Sequence, residues 1–338
     1  MPTYKCGNDC PYCYLSADQR HYMGNVNMGW YLRMLKDRLD EISDEHMKIS
    51  NIELYGGDLG TIPYTNLQDL VNFCREYTDN VSITHTDVDT CLKLGFEPKD
   101  INLSLNIERR DFQKNLRISR RNPDVGIITV VTNDICSRNI EELFNSWYKH
   151  LTGYLTFMPL SNAGCKQPFP YVSNTDYCAF IIRALDYYHR NMDSLNFVIT
   201  NSVQVHDALN GLYSPNMVNN VFITPSCDFA AVEINGSDED FRTFNSFIEW
   251  KNFASSNDIV FSAECGACDN FMCCLADHFV SKNNRGTFAE QIGDICNGGI
   301  PITNWAKQHP EYGYGVRGLT YDSRNPMFTR QAGVPEWT

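Results

Sequence analysis

Apolar residues recur along this chain in two rhythms that take turns. Short runs rich in β-branched and aromatic residues stand at 51–55 (NIELY), 81–84 (VSIT), 101–105 (INLSL), 126–132 (GIITVVT), 154–158 (YLTFM) and 197–200 (FVIT). Such runs predict strands. Between several of them the apolar positions fall three or four residues apart, the helical rhythm. Leu32, Leu35, Leu39 and Ile42 mark one stripe over 28–42, and others run over 66–77, 139–151 and 175–192. Strands that alternate with helices predict an α/β fold, a parallel sheet with helices on its outer face. Six strands fit a partial (β/α)6 barrel, and barrels of parallel strands carry their chemistry at the strands' C-terminal ends. A segment rich in Asn, Pro and Gly at 212–220 breaks the rhythm. It predicts two domains, 1–212 and 213–338. In the second, 221–224 and 229–234 predict a hairpin and 241–254 a helix, followed by a cysteine-rich segment.

Composition narrows the chemistry. With 338 residues, 43% of them hydrophobic, the chain can bury a large core. Its net charge of −13 argues against nucleic acid as a partner, which needs a basic footprint. The basic run Arg109, Arg110, Arg117, Arg120 and Arg121 is a local exception, read as a solvated helix face. The first residues begin no apolar run, and no apolar stretch is long enough to span a bilayer. The expected home is therefore a reducing cytoplasm, with no membrane association. The 14 cysteines crowd the two ends of the chain, which suits metal binding better than scattered core thiols. Cys74, Cys91, Cys136, Cys165 and Cys178 lie in core-like patterns and read as small buried hydrophobes.

Cys6, Cys10 and Cys13 carry the strongest signal. The run C-G-N-D-C-P-Y-C puts three thiolates on one tight loop. Iron–sulfur clusters are normally held by four cysteines. A loop that supplies three leaves one iron of a cubane free to bind something else. Zinc sites close with four ligands, commonly from paired C-x2-C units, and nothing here completes such a set. The spacing resembles the signature of radical S-adenosylmethionine (SAM) enzymes. That resemblance implies a 4Fe–4S cluster on Cys6, Cys10 and Cys13 whose open iron chelates SAM, and an electron that cleaves SAM to a 5′-deoxyadenosyl radical. Tyr12 matches the aromatic that packs by the adenine.

Other segments fall in the family's order. Gly56-Gly57-Asp58 follows the first strand and resembles the Gly-Gly-Glu signature, with Asp for Glu. There glycines let backbone approach the methionyl part of SAM, and the shorter Asp58 leaves more of the contact to backbone. Ser104-Leu105-Asn106 resembles a Ser-Leu-Asp run that meets the ribose or carboxylate of SAM. Asn133 ends the next strand and can face the same site. Phe157 to Leu160, with Asn162 to Gly164, resembles the strand and turn that pass the adenine.

Near the other end, Cys265, Cys268, Cys274 and Cys296 give C-x2-C-x5-C-x21-C. This resembles the SPASM/twitch module, and the four match the ligands of an outer auxiliary 4Fe–4S cluster. Four thiolates also suit tetrahedral zinc, so both metals stay open. Cys227 resembles the first ligand of an inner auxiliary cluster. His278 and Phe241 stand where two more of its cysteines belong, so that cluster is expected to be lost or altered.

The resemblance implies a radical SAM oxidoreductase or maturase that abstracts hydrogen from a peptide or protein, served by an external electron donor such as flavodoxin or ferredoxin. A small-molecule dehydrogenase is the alternative, and a non-catalytic iron–sulfur carrier has no use for an open iron.

Overall fold

The structure, a computed structural model, describes residues 1–22, 26–45, 47–160, 172, 174–202, 221–235, 241–255 and 299–309. Six strands form its main sheet in sequential order: β1 (Ile52–Leu54), β2 (Val81–Thr84), β3 (Ile101–Ser104), β4 (Gly126–Val131), β5 (Tyr154–Pro159) and β6 (Val198–Ile199). Every pair is parallel. Parallel neighbours need a crossover. It is supplied by α3 (Tyr64–Arg75), α4 (Val88–Lys93), α5 (Phe112–Arg121), α6 (Asn133–Ser137) with α7 (Ile140–Leu143), and α8 (Asn174–Arg190). Two helices, α1 (Ala17–Tyr22) and α2 (Met28–Asp44), precede β1. This is the partial (β/α)6 barrel that the alternation predicts.

The two faces of the sheet differ. Leu54, Ile83, Leu103, Ile127, Thr129, Leu155 and Phe157 point one way and are buried beneath the helices. Glu53, Thr84, Asn102, Ser104, Ile128 and Thr156, one residue out of step, are only half-buried. Side chains alternate across a strand, so the concave face is accessible and largely polar. That face suits a polar ligand.

A second sheet is antiparallel: β7 (Phe222–Ile223), β8 (Phe229–Asn235) and β9 (Phe241–Phe244). The hairpin is as predicted, but the helix expected over 241–254 is corrected. Residues 241–244 pair with β8, and α9 (Phe247–Ser255) begins later. Phe241 and Phe244 are buried with two more exposed residues between them, a three-residue spacing that also fits a helix, and it is the pairing with β8 that makes the stretch a strand. Ser246 then starts the helix, its hydroxyl accepting from the Glu249 amide at 3.2 Å. A further helix, α10 (Gly299–Gln308), packs on α8.

The N-terminal segment ties the two sheets together. Its ammonium donates to the Ile223 carbonyl of β7 at 2.7 Å. Met1 and Tyr4 share a buried cluster with Leu15, Ala230 and Phe241. No helix among the described residues is long and apolar enough to cross a membrane. The domain boundary expected at 212–213, with Cys165, His278, Cys265, Cys268, Cys274 and Cys296, lies outside the described residues.

Candidate functional site

Cys6, Cys10 and Cys13 lie on a loop seated at the C-terminal end of β1. The seating is by backbone. The Gly57 amide donates to the Thr3 carbonyl at 2.8 Å, and the Asp58 amide donates to the Lys5 carbonyl at 2.7 Å. Residues 3–5 thus run alongside the Gly-Gly-Asp turn as a stunted extra strand. Gly56 has φ 153°, and a Cβ there would stand 2.5 Å from the Thr3 carbonyl oxygen. A Cβ on Gly57 would stand 2.4 Å from the carbonyl oxygens of Tyr4 and Lys5. Both glycines are therefore required by the chain's own backbone, whatever else approaches them. Tyr14 adds a hydroxyl that donates to the Gly56 carbonyl at 3.4 Å.

Asp58 turns its carboxylate to local work. Its Oδ1 accepts from the Gly60 amide at 2.9 Å, capping the 3-10 turn Leu59–Thr61. Asn106 is also spent locally. Its Nδ2 donates to the Val130 carbonyl at 2.7 Å, and its Oδ1 accepts from the Val130 amide at 3.0 Å. The side chain is fully buried and extends the β3–β4 ladder in place of backbone. Its amide is turned to Val130, so a ligand contact through Asn106 would fall to the second N–H and the second lone pair of that amide. Ser104 stays half-buried at the end of β3, and Asn133 is exposed at the first turn of α6.

The loop's second anchor comes from the segment after β3. Arg109 forms a two-pronged ion pair with Asp111, Nε to Oδ1 at 2.8 Å and Nη2 to Oδ2 at 2.9 Å. Both side chains are largely buried, at 12% and 14% exposure. The same guanidinium donates from Nη1 to the Cys10 sulfur at 3.7 Å. With its amide oriented to satisfy both atoms, Asn8 accepts from Arg109 at 3.0 Å and donates to Asp111 at 3.3 Å. Outside this network, Arg110 pairs with Asp9 at 3.3 Å. The reading of a solvated face holds for Arg110, Arg117, Arg120 and Arg121, which are exposed, and fails for Arg109. Sequence reveals charge but not burial, and the Asp two residues on was the available sign of a partner.

Burial raises all three thiols. Cys6 is moved up by burial against a hydrogen bond from the Asn8 amide, and Cys10 by burial against Arg109. Cys13 is pushed up to about 11. Burial, then the Cys10 charge, also raises the Tyr12 phenol. For Arg109, burial works against the charge, but Asp111 and then Cys10 outweigh it and shift the guanidinium up.

The residues present fit an iron–sulfur cluster. The donor set is three free thiols on one loop. Beside it, Arg20 donates from Nη1 to the Cys10 carbonyl at 3.4 Å, while its buried Nε has no hydrogen-bond partner. A buried, unpaired N–H beside three thiols suits a sulfide-rich, anionic group. Among the described residues, no group of three or more His, Cys, Asp or Glu closes around a single ion. Thiolates that each bind a different iron need not converge in that way.

No protein-family model matches the chain, and no curated protein matches it. Solved structures do. One is Streptococcus suis SuiB, bound to its precursor peptide SuiA: 15% identity, TM-score 0.57, covering 81% of this chain and 69% of SuiB. Another is anSMEcpe with AdoMet and the Kp18Cys peptide bound: 14% identity, TM-score 0.60, covering 93% of this chain and 95% of that one. The chain shares the fold of these two structures, the partial barrel of radical SAM enzymes. The cysteine loop lies beside β1, at the C-terminal end of the parallel strands.

Two positions of the second sheet bear on an inner auxiliary cluster. Cys227 is fully buried on a turn with φ 63°, and its thiol donates to the Tyr31 carbonyl at 3.7 Å. Phe241 packs its ring against Tyr4 and Tyr14, with centroids 5.9 and 5.8 Å away. One thiol is turned into the core, and an aromatic fills the other place. Of the remaining cysteines, Cys74, Cys91 and Cys178 are buried as expected, and Cys136 is only half-buried.

Proposed function

We propose that this chain is a radical SAM enzyme that modifies a peptide or protein by hydrogen abstraction. The observation that supports it most is the backbone seating of the three-cysteine loop on Gly57 and Asp58, beside an accessible polar barrel face. Cys6, Cys10 and Cys13 would hold three irons of a cubane and leave the fourth for SAM. A cluster held there would supply the one electron that splits the sulfonium of SAM into methionine and a 5′-deoxyadenosyl radical, which would take a hydrogen atom from the substrate. Tyr12, the backbone of Gly56 and Gly57, and Ser104 and Asn133 at the ends of β3 and β4 would surround the nucleoside and methionyl parts. Glu108 accepts from the Thr132 hydroxyl through one oxygen, and its other, buried oxygen has no hydrogen-bond partner. That atom offers an acceptor to an ammonium or hydroxyl group of a ligand.

Peptide as the substrate class draws support from the two structures of the same fold, each solved with a peptide bound. Cys265, Cys268, Cys274 and Cys296 would hold one auxiliary 4Fe–4S cluster, and a flavodoxin or ferredoxin would deliver the electron in a cytoplasmic setting. The test is anaerobic reconstitution with iron and sulfide, then dithionite and SAM, with 5′-deoxyadenosine quantified. Replacing Cys6, Cys10 and Cys13 together by Ala should abolish its formation. Undiminished formation in that variant would overturn the proposal.

A further inference from the structure

We infer that Arg109 is a positioning residue that sets the reduction potential of the cluster on the N-terminal loop, acting through the Cys10 sulfur, with Asp111 as its counterweight. The inference rests on the reading of Cys6, Cys10 and Cys13 as cluster ligands and adds to it a control by neighbouring charge.

The geometry puts three features together. Arg109 approaches the Cys10 sulfur at 3.7 Å from Nη1. Its other nitrogens are fixed by the Asp111 carboxylate at 2.8 and 2.9 Å. The Asn8 amide, from between Cys6 and Cys10, spans both partners. An exposed arginine would sample many orientations and be screened by water. This one is largely buried and held by a planar fork, so its N–H stays aimed at one sulfur. Burial also strengthens its field.

The direction of the effect follows from charge. One-electron reduction makes the cluster more negative. A cation and an N–H donor at a ligating sulfur favour the more negative state and so raise the potential. Asp111 opposes this, because its carboxylate neutralises the guanidinium. Removing Arg109 and removing the charge of Asp111 should therefore move the potential in opposite directions. A latch whose only task is to hold the loop would not distinguish the two in sign.

The test uses the full chain, reconstituted anaerobically, in a redox titration followed by electron paramagnetic resonance. The signal that changes shape when SAM is added identifies the N-terminal cluster. Arg109→Met should titrate at lower potential than wild type, Arg109→Lys between the two, and Asp111→Asn above wild type. Unchanged potentials in Arg109→Met and Asp111→Asn, at wild-type iron content, would overturn the inference. So would shifts of the same sign in both. Loss of the cluster from all three variants would overturn it too, leaving Arg109 a structural latch. A wild-type protein with no SAM-sensitive signal would instead sink the reading of the loop itself.

Discussion

Gly56 lies so close to Thr3 that a methyl group on it would stand 2.5 Å from the Thr3 carbonyl oxygen. That oxygen belongs to backbone already bonded to the Gly57 amide, so it cannot swing aside. Residues 3–5 lead directly into Cys6. A side chain at Gly56 therefore displaces the cysteine loop before it meets any ligand.

Gly56→Ala should accordingly lose iron as well as SAM binding. Iron per chain should fall by about four, one cubane, and stability by about 1–3 kcal/mol from overpacking. Anaerobic iron analysis and urea unfolding check this. A variant with full iron and weakened SAM binding would mean that the glycine serves the ligand alone.

Asn106→Asp should destabilise the barrel. The substitution keeps the acceptor for the Val130 amide but sets a carboxylate oxygen against the Val130 carbonyl, where an N–H stood. Facing a buried carboxylate oxygen with a carbonyl that has lost its donor costs about 1–3 kcal/mol. Denaturant midpoints of the two proteins decide it, and equal midpoints would refute the ladder role.

The six strands were legible because each is a short apolar or β-branched run bounded by turn residues. The observed ones fall within a residue or two of the runs at 51–55, 81–84, 101–105, 126–132, 154–158 and 197–200. The cysteine loop and Gly-Gly-Asp were legible because their spacing is local. Asn106 and Arg109 were not, for one reason: what each does depends on a partner brought near by folding. Asn106 reaches Val130, 24 residues on, and Arg109 reaches Cys10, 99 residues back. The helix read over 241–254 failed at its start because Phe241 belongs to strand packing around Tyr4 and Tyr14.

Acid should weaken the fold through His85. Its Nδ1 accepts from the Asp87 amide at 2.8 Å, so the neutral ring carries its proton on Nε2, which is buried without a partner. Burial lowers its pKa below the ordinary value, against opposing pulls from Asp58 and Asp87, with Lys114 adding to the lowering. A histidine depressed in the folded state binds its proton more readily when unfolded. Its contribution is present above the unfolded value of about 6.5 and is lost as pH falls toward the folded one. His85→Gln should therefore show a shallower loss of thermal stability than wild type between pH 7 and 5. Parallel pH profiles would remove His85 as the cause.

Phe241→Ala should cost about 3–5 kcal/mol, the usual range for an aromatic lost from a core. The ring fills the space between Tyr4 and Tyr14, so the variant should also loosen the segment that leads to Cys6. Phe241→Cys should not restore an inner cluster, because Cys227 stays bonded to the Tyr31 carbonyl, away from any shared site. Unfolding curves for the first variant and iron content for the second provide the check. About four extra irons in Phe241→Cys would show that Cys227 can turn outward.

The C-terminal cysteines should hold one auxiliary cluster. Four thiolates close the coordination of all its irons, so it should bind no substrate and serve to hold its segment and relay electrons. Wild type should carry about eight irons per chain, two cubanes, and the Cys265→Ser/Cys268→Ser variant about four. Loss of that cluster should unfold its surroundings, since metal binding energy is folding energy where a short segment has little core of its own. Iron and zinc analysis with Mössbauer spectroscopy distinguishes the outcomes. About twelve irons would mean that an inner cluster survives despite the buried Cys227 and the aromatic Phe241. Four irons with one zinc would make the C-terminal site a structural zinc centre, with the chemistry confined to Cys6, Cys10 and Cys13.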